Sequence, residues 1–301
     1  MCMAKCLHIT DRQYKDLILD MKSKKIAYLL GALPFLAVVT AAAYESGNEN
    51  ITTFTEQSQA YYQHKEDEAA FCSSCWFVGA GGALNRMQTE NNALQINNFA
   101  TYAPLGYQND LFAVNTPDTN GSLFVYGGYT WAQKQTWLPE ISLAMRYEYV
   151  SPSKISGNID QYSLPGYINY DYRMNASAHV LTLLSKLDLV TFGSFAPYVS
   201  VGLGIARDKL YSYQETPLSP AYNRDSAGFG NTTHMNFSFG LGAGLDYFVN
   251  DNISLALGYE HEDLGSLESG PAAAQYQGQH LSFGSLTANR ILFNAFYKLQ
   301  F

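Results

Sequence analysis

Apolar and polar side chains alternate through residues 291–301. Ile291, Phe293, Ala295, Tyr297, Leu299 and Phe301 fall on one face of a strand. Arg290, Asn294, Lys298 and Gln300 fall on the other, with Leu292 and Phe296 as exceptions. A greasy outer face backed by a charged inner one suits a strand that stands between lipid and a polar lumen. The same period of two predicts seven strands before it, at 76–86, 123–134, 141–149, 176–189, 198–207, 235–249 and 253–261. The cleanest is 235–249, with Met235, Phe237, Phe239, Leu241, Ala243, Leu245 and Tyr247 opposite Asn236, Ser238, Gly240, Gly242, Gly244 and Asp246. The weakest is 176–189, where 180–184 fits either phase. Each segment has roughly the 9–11 residues that a tilted strand needs to cross the hydrocarbon. The eighth strand extends from 301 back toward His280.

The connections add independent information. Short links near 137–140, 191–195 and 250–252 alternate with long gaps at 87–122, 150–175, 208–234 and 262–279. Short periplasmic turns and long outer loops alternate in this way in bacterial barrels. The reading is all-β: an eight-stranded antiparallel transmembrane barrel, with ten strands as the alternative if 87–122 holds two more. This topology puts Trp131, Tyr247, Phe248 and Phe301 at one membrane interface and Tyr149 and Tyr259 at the other.

Four segments follow. Residues 21–43 read as a secretory signal peptide: a basic run at 21–25, 14 apolar residues at 26–39, and small residues at 41–43. Fourteen residues are too few for a spanning helix, which needs about 20. Residues 1–20 are expected to be a mis-assigned start or an extended leader. Residues 44–73 are a polar periplasmic lead-in, and 74–301 the barrel.

Composition sharpens this picture. Charged residues are only 15%, and aromatics reach 14% with 23 tyrosines, as interfacial girdles require. A net charge of −8 argues against a nucleic-acid partner. Cys72 and Cys75 form a C-x-x-C just ahead of the first strand; in an oxidising compartment the expectation is a local disulfide.

The segments at Trp76 to Gly82, Pro197 to Gly204 and Gly242 to Tyr247, together with the terminal Tyr297 to Phe301, resemble the eight-stranded outer-membrane barrels of Gram-negative bacteria, the porin-family and OmpA-like opacity proteins. The resemblance covers about 74–301. It implies an outer-membrane location, contact with outer-membrane lipid and lipopolysaccharide, and recognition by the barrel-assembly machinery through Tyr297, Leu299 and Phe301. Phe296 stands where that terminal signal often has glycine.

A lumen of eight strands is only wide enough for side chains to fill. Arg146, Glu148, Asp246, Glu260, Arg290 and Lys298 are predicted to face inward as an ion-pair network. Gly202, Gly204, Gly240, Gly242, Gly244 and Gly258 strip one wall, leaving either a slot or room for bulk from elsewhere. His234, His261 and His280 fall near the outer mouth and could form a zinc set, although rim histidines are commonly solvated, and no metal or cofactor is expected. His280 and Ser282 have spacing for an acyl hydrolase pair, but their phase points inward rather than toward lipid. A soluble lipocalin-like barrel is disfavoured, because the polar face is too small to be a solvent face. The expected function is a non-enzymatic surface barrel, structural or adhesive through its outer loops, with a host-cell or matrix ligand as candidate partner. The alternatives are a narrow porin or ion channel and a lipid-modifying acyl hydrolase.

Overall fold

The computed structural model describes residues 74–97, 109–115, 119–132, 137–163, 168–218, 226–273 and 276–299. Signal, lead-in, Cys72 and Phe301 lie outside the described residues.

Among the described residues there are ten antiparallel strands: β1 (Ser74–Thr89), β2 (Ala93–Asn97), β3 (Asn109–Ala113), β4 (Thr119–Ala132), β5 (Trp137–Asp160), β6 (Ile168–Val190), β7 (Phe195–Pro217), β8 (Thr232–Phe248), β9 (Ile253–Glu268) and β10 (Ser282–Leu299). The alternative of ten, with two more strands in 87–122, is what these residues show. Eight long strands close a ring in the order β5-β4-β1-β10-β9-β8-β7-β6, with β6 pairing back onto β5. The two additional strands, β2 and β3, form a hairpin in the 87–122 stretch and join the far end of β5 at Leu111–Asp160 and Phe112–Ile159. β3 hides in the sequence because Leu111 and Phe112 stand side by side and break the period of two.

The turns follow from local chemistry. Phe192 and Phe195 exchange backbone hydrogen bonds of 2.7 and 3.0 Å around a two-residue link. Gly193 supplies the positive φ of 59° there. Between β8 and β9, the Asn250 side-chain oxygen accepts from the backbone N–H groups of Asn252 and Ile253, at 2.9 and 2.8 Å. This is the self-capping habit of asparagine in turns.

The strands run well past the alternating segments. β5 continues 11 residues beyond Tyr149 to Asp160, and β6 starts eight residues before Ala176. Much of the predicted 150–175 loop is thus a tall hairpin, with a register shift between Val150 and Ser153. Near the turns, exposed Leu143, Met145, Leu181, Leu183, Leu203, Ile205, Phe293 and Tyr297 belong to an apolar band around the outside. Above it, at the far end, the apolar side chains turn inward. Met87, Ile155, Ile159, Tyr172, Met174, Leu210 and Phe283 form one cluster there with Leu94, Ile96 and Phe112 of the hairpin.

Candidate functional site

The lumen holds most of the buried charge of the described residues, stacked in two layers. In the layer nearer the turns, Lys186 pairs with Asp246 and lies 3.4 Å from Asp188, while Lys298 reaches Glu140 at 2.6 Å. Thr130 donates to Glu140 at 2.7 Å. Aromatic rings floor this layer: the Lys186 ammonium sits 5.0 Å from the centre of Tyr198 and 5.4 Å from that of Phe296. A void of about 30 Å³ bordered by Phe77, Tyr126, Lys186 and Lys298 has room for water but not for a solute.

The second layer is tighter. Arg146 of β5 crosses the lumen to Glu260 of β9 with a two-pronged contact of 2.9 and 2.8 Å. Such a fork fits a planar guanidinium to a carboxylate. Arg290 of β10 donates to Glu148 at 2.6 Å and also pairs with Glu262. Arg146 lies 3.7 Å from Glu148 and 3.6 Å from Glu262, so two guanidiniums and three carboxylates form one connected group. None of the five is more than 2% exposed, and the void of about 20 Å³ beside Arg146 and Glu260 has room for water alone.

The glycine-rich wall accommodates that bulk. A Cβ at Gly244 or Gly258 would overlap the Tyr198 phenol, and one at Gly240 would meet the side chains of Glu260 and Glu262 at 3.6–3.7 Å. Of the two readings of the glycines, room for neighbouring side chains is the one the geometry favours.

Above the charges the filling is apolar. Phe112 is its hub, edge-on to Tyr172 at 5.5 Å and to Phe229 at 5.8 Å. The hairpin and the segment before β10 are tied together where Gln279 and the Asn97 backbone exchange hydrogen bonds of 2.7 and 2.6 Å, and where the Tyr276 hydroxyl meets Asp110. Burial pushes the Tyr172 phenol well above its ordinary range. At the junction, just above the apolar band, burial raises the Asp208 carboxyl to about 6, against a lowering hydrogen bond from Asn236.

The predicted lumen residues thus fall into two groups. Arg146, Glu148, Glu260 and Arg290 meet in the upper charged layer, and Asp246 and Lys298 belong to the lower one. The sequence reading missed Glu262, Glu140, Lys186 and Asp188 as lumen members. Glu262 is two residues from Glu260, and Asp188 two from Lys186, so both pairs share a face and were findable. The ambiguous phase of 180–184 hid the second pair.

The histidines do not converge. His261 pairs with Leu241 of β8, seven residues (241 − 234) along that strand from His234, and its Nδ1 contacts Asn289 at 2.9 Å. His234 contacts Thr232 at 3.0 Å, and His280 contacts the Ser269 carbonyl at 2.9 Å. Among the described residues no group of three His, Cys, Asp or Glu could hold a metal ion. The stagger of neighbouring strands in a tilted barrel separates rim residues that lie near each other in a flat diagram. Ser282 is exposed in a segment with a register shift between Ser282 and Gly284. Cys75 is buried at the start of β1 opposite Thr130, and its predicted partner Cys72 lies outside the described residues. Tyr297 is exposed on the apolar band and Leu299 ends β10.

Known proteins resemble this chain to different extents. The chain is 30% identical over 97 residues to uncharacterized proteins of Brucella abortus (strain 2308) and of Brucella suis biovar 1, a match covering 31% of this chain and 33% of each relative. It thus spans about a third of the length of these curated relatives. Among solved structures, Neisserial surface protein A matches with 13% identity over 74% of this chain and 97% of its own, at a TM-score of 0.38. OprG from Pseudomonas aeruginosa matches with 14% identity over 75% and 97%, at 0.39. The family model for the outer membrane protein beta-barrel domain matches residues 97–289, more than half of the sequence. The chain belongs to this outer-membrane β-barrel family and resides in the bacterial outer membrane.

Proposed function

We propose that the protein is a non-enzymatic surface barrel that presents a rigid, folded outer extension for recognition, with a sealed lumen as its pedestal. The observation that carries this reading is the double filling of the barrel. A charged layer in which every member is at most 2% exposed lies beneath an apolar cluster that includes the β2–β3 hairpin. A conducting barrel needs a continuous wetted path, and the close packing of both layers argues against one. By the rule that short turns are periplasmic, the tall β5–β6 hairpin, the outer end of β7 paired to it and the β2–β3 hairpin project outward from the cell. Their packed core holds the described outer ends of these strands in fixed relative positions, which limits the entropy lost on engaging a partner.

The test has two arms, both on protein purified from outer membranes. In planar bilayers it is expected to stay silent; steady, reproducible channels would move the reading to a narrow porin. In binding to host cells or extracellular matrix, replacing residues 98–108, between β2 and β3, with a short Gly-Ser link is expected to abolish adhesion while heat-dependent gel migration stays normal. Unchanged adhesion would remove recognition by that segment from the proposal.

A further inference from the structure

Nine lysines and arginines lie on the described strands. Arg146, Lys186, Arg290 and Lys298 point into the lumen. Of the other five, four are exposed on the outside of three consecutive strands: Lys154 on β5, Arg173 on β6, and Arg207 and Lys209 on β7. The fifth, Arg86, is alone on β1.

Register defines the patch. Arg207 lies between His179 of β6 and Met235 of β8, and Lys209 lies between Ser177 and Thr233. Lys154 is opposite Asn175, and Arg173 is opposite Ser156, with its Nε donating to Gln214 at 2.8 Å. Among the described residues none of these four cations is in a salt bridge with a carboxylate. Two residues below Arg207 and His179 the outside is apolar, with Leu181 46% exposed and Ile205 52% exposed. Two residues along a strand are about 7 Å, so the cations begin one step above the lipid-facing wall. Asp171, two residues beyond Arg173, is the acid at the far margin.

On the described strands of this acidic chain, four of the five outward cations thus lie on one side, at the height of the headgroups of the outer leaflet. We propose that this patch of β5, β6 and β7 docks the phosphate groups of lipopolysaccharide. Guanidinium and ammonium groups next to an apolar span are suited to phosphate-bearing headgroups. The acyl chains would lie along Leu181, Ile205 and Leu203 below. Lipopolysaccharide docked there would fix the rotational setting of the barrel among its lipids. The inference rests on the outer-membrane location and is independent of the recognition role proposed above.

The test uses the protein purified from outer membranes and reconstituted in phosphatidylcholine nanodiscs, titrated with bisphosphorylated lipid A. The double variant Arg207→Ser/Lys209→Ser is expected to bind about 30-fold more weakly, from roughly 1 kcal/mol per cation near a charged surface. Arg86→Ser is the control and is expected to bind as the wild type does. The charge-preserving pair Arg207→Lys/Lys209→Arg is expected to retain most of the affinity, and dephosphorylated lipid A to bind the wild type weakly. Equal binding by the Ser variant, equal loss in Arg86→Ser, or indifference to the phosphates would overturn the proposal. Displacement of lipid A by millimolar pyrophosphate would also overturn it, by showing a site for soluble anions instead.

Discussion

The two halves of the barrel solve opposite problems with one set of strands. On β6, reading from the turn end, the inward positions are Asp188, Lys186, Leu184 and Thr182, and the outward ones include Leu187, Leu183 and Leu181. Past Val180 the chemistry inverts: Ala178, Ala176, Met174 and Tyr172 point in, while His179, Ser177, Asn175 and Arg173 point out. β5 does the same at Val150, with Arg146 and Glu148 inside below it and Ile155 and Ile159 inside above it. Below the inversion the outside is lipid and the polar side chains have only one another. Above it the outside is water, and the strands behave as those of a soluble barrel with an apolar core. The point of inversion therefore marks the outer edge of the membrane more sharply than any aromatic girdle does.

If the halves are held by different forces, substitutions in each should fail differently. The largest effect is expected from Arg146→Met, which leaves Glu148, Glu260 and Glu262 with Arg290 alone to balance them. Removing one partner of a buried ion pair costs about 3–5 kcal/mol. The loss should appear as a lower urea midpoint for the whole barrel, read by heat-dependent gel migration; a shift under about 1 kcal/mol would mean that the layer is not held by its charges. Phe112→Ala comes next. Phe112 is fully buried, and truncating such a ring costs about 3–5 kcal/mol, at the low end where the surroundings relax. Here the damage should stay local. The expected result is faster proteolysis of the β2–β3 hairpin with gel migration intact. Loss of the gel shift instead would show that the two halves unfold as one.

The same inversion sets what the sequence discloses. The lipid-facing runs, such as Leu143, Met145 and Tyr147, were legible because apolar-out alternation is the assumption of a transmembrane reading. That assumption ended the third strand at Tyr149, where the structure carries it on to Asp160. Beyond Val150 the apolar residues occupy the other face, and a register shift at Ser153 breaks the phase as well. The lumen charges on strands with clean alternation, Arg146, Glu148, Glu260 and Arg290, were readable one by one. Their pairing was not, because β5 and β9 meet across the lumen and not along a ladder. The histidine trio failed for the complementary reason: neighbours in a ladder were read without the stagger that sets His234 and His261 seven positions apart.

Asp208 sits at the seam and offers the finest division between the halves. It faces inward on β7 just past the last lipid-facing residue, Ile205, and is only 2% exposed. Ala178 of β6 and His234 of β8 flank it in the ladder, and Asn236 donates to it at 2.8 Å. That single hydrogen bond is less than the salt-bridged carboxylates below it have, and burial lifts its carboxyl from 3.8 to about 6. The sign follows from the direction of the shift. Between about pH 4 and 6 the folded barrel holds a proton that the unfolded chain has released, so stability rises as pH falls through that window. At pH 8 the ionised group carries its full penalty, about two pKa units or roughly 3 kcal/mol at most. Asp208→Asn keeps an acceptor for Asn236 without the charge. It is expected to raise the urea midpoint at pH 8 and to match the wild type near pH 4. A variant whose stability follows the wild-type pH curve would show that water reaches Asp208 from above, placing it in the outer half rather than at a dry boundary.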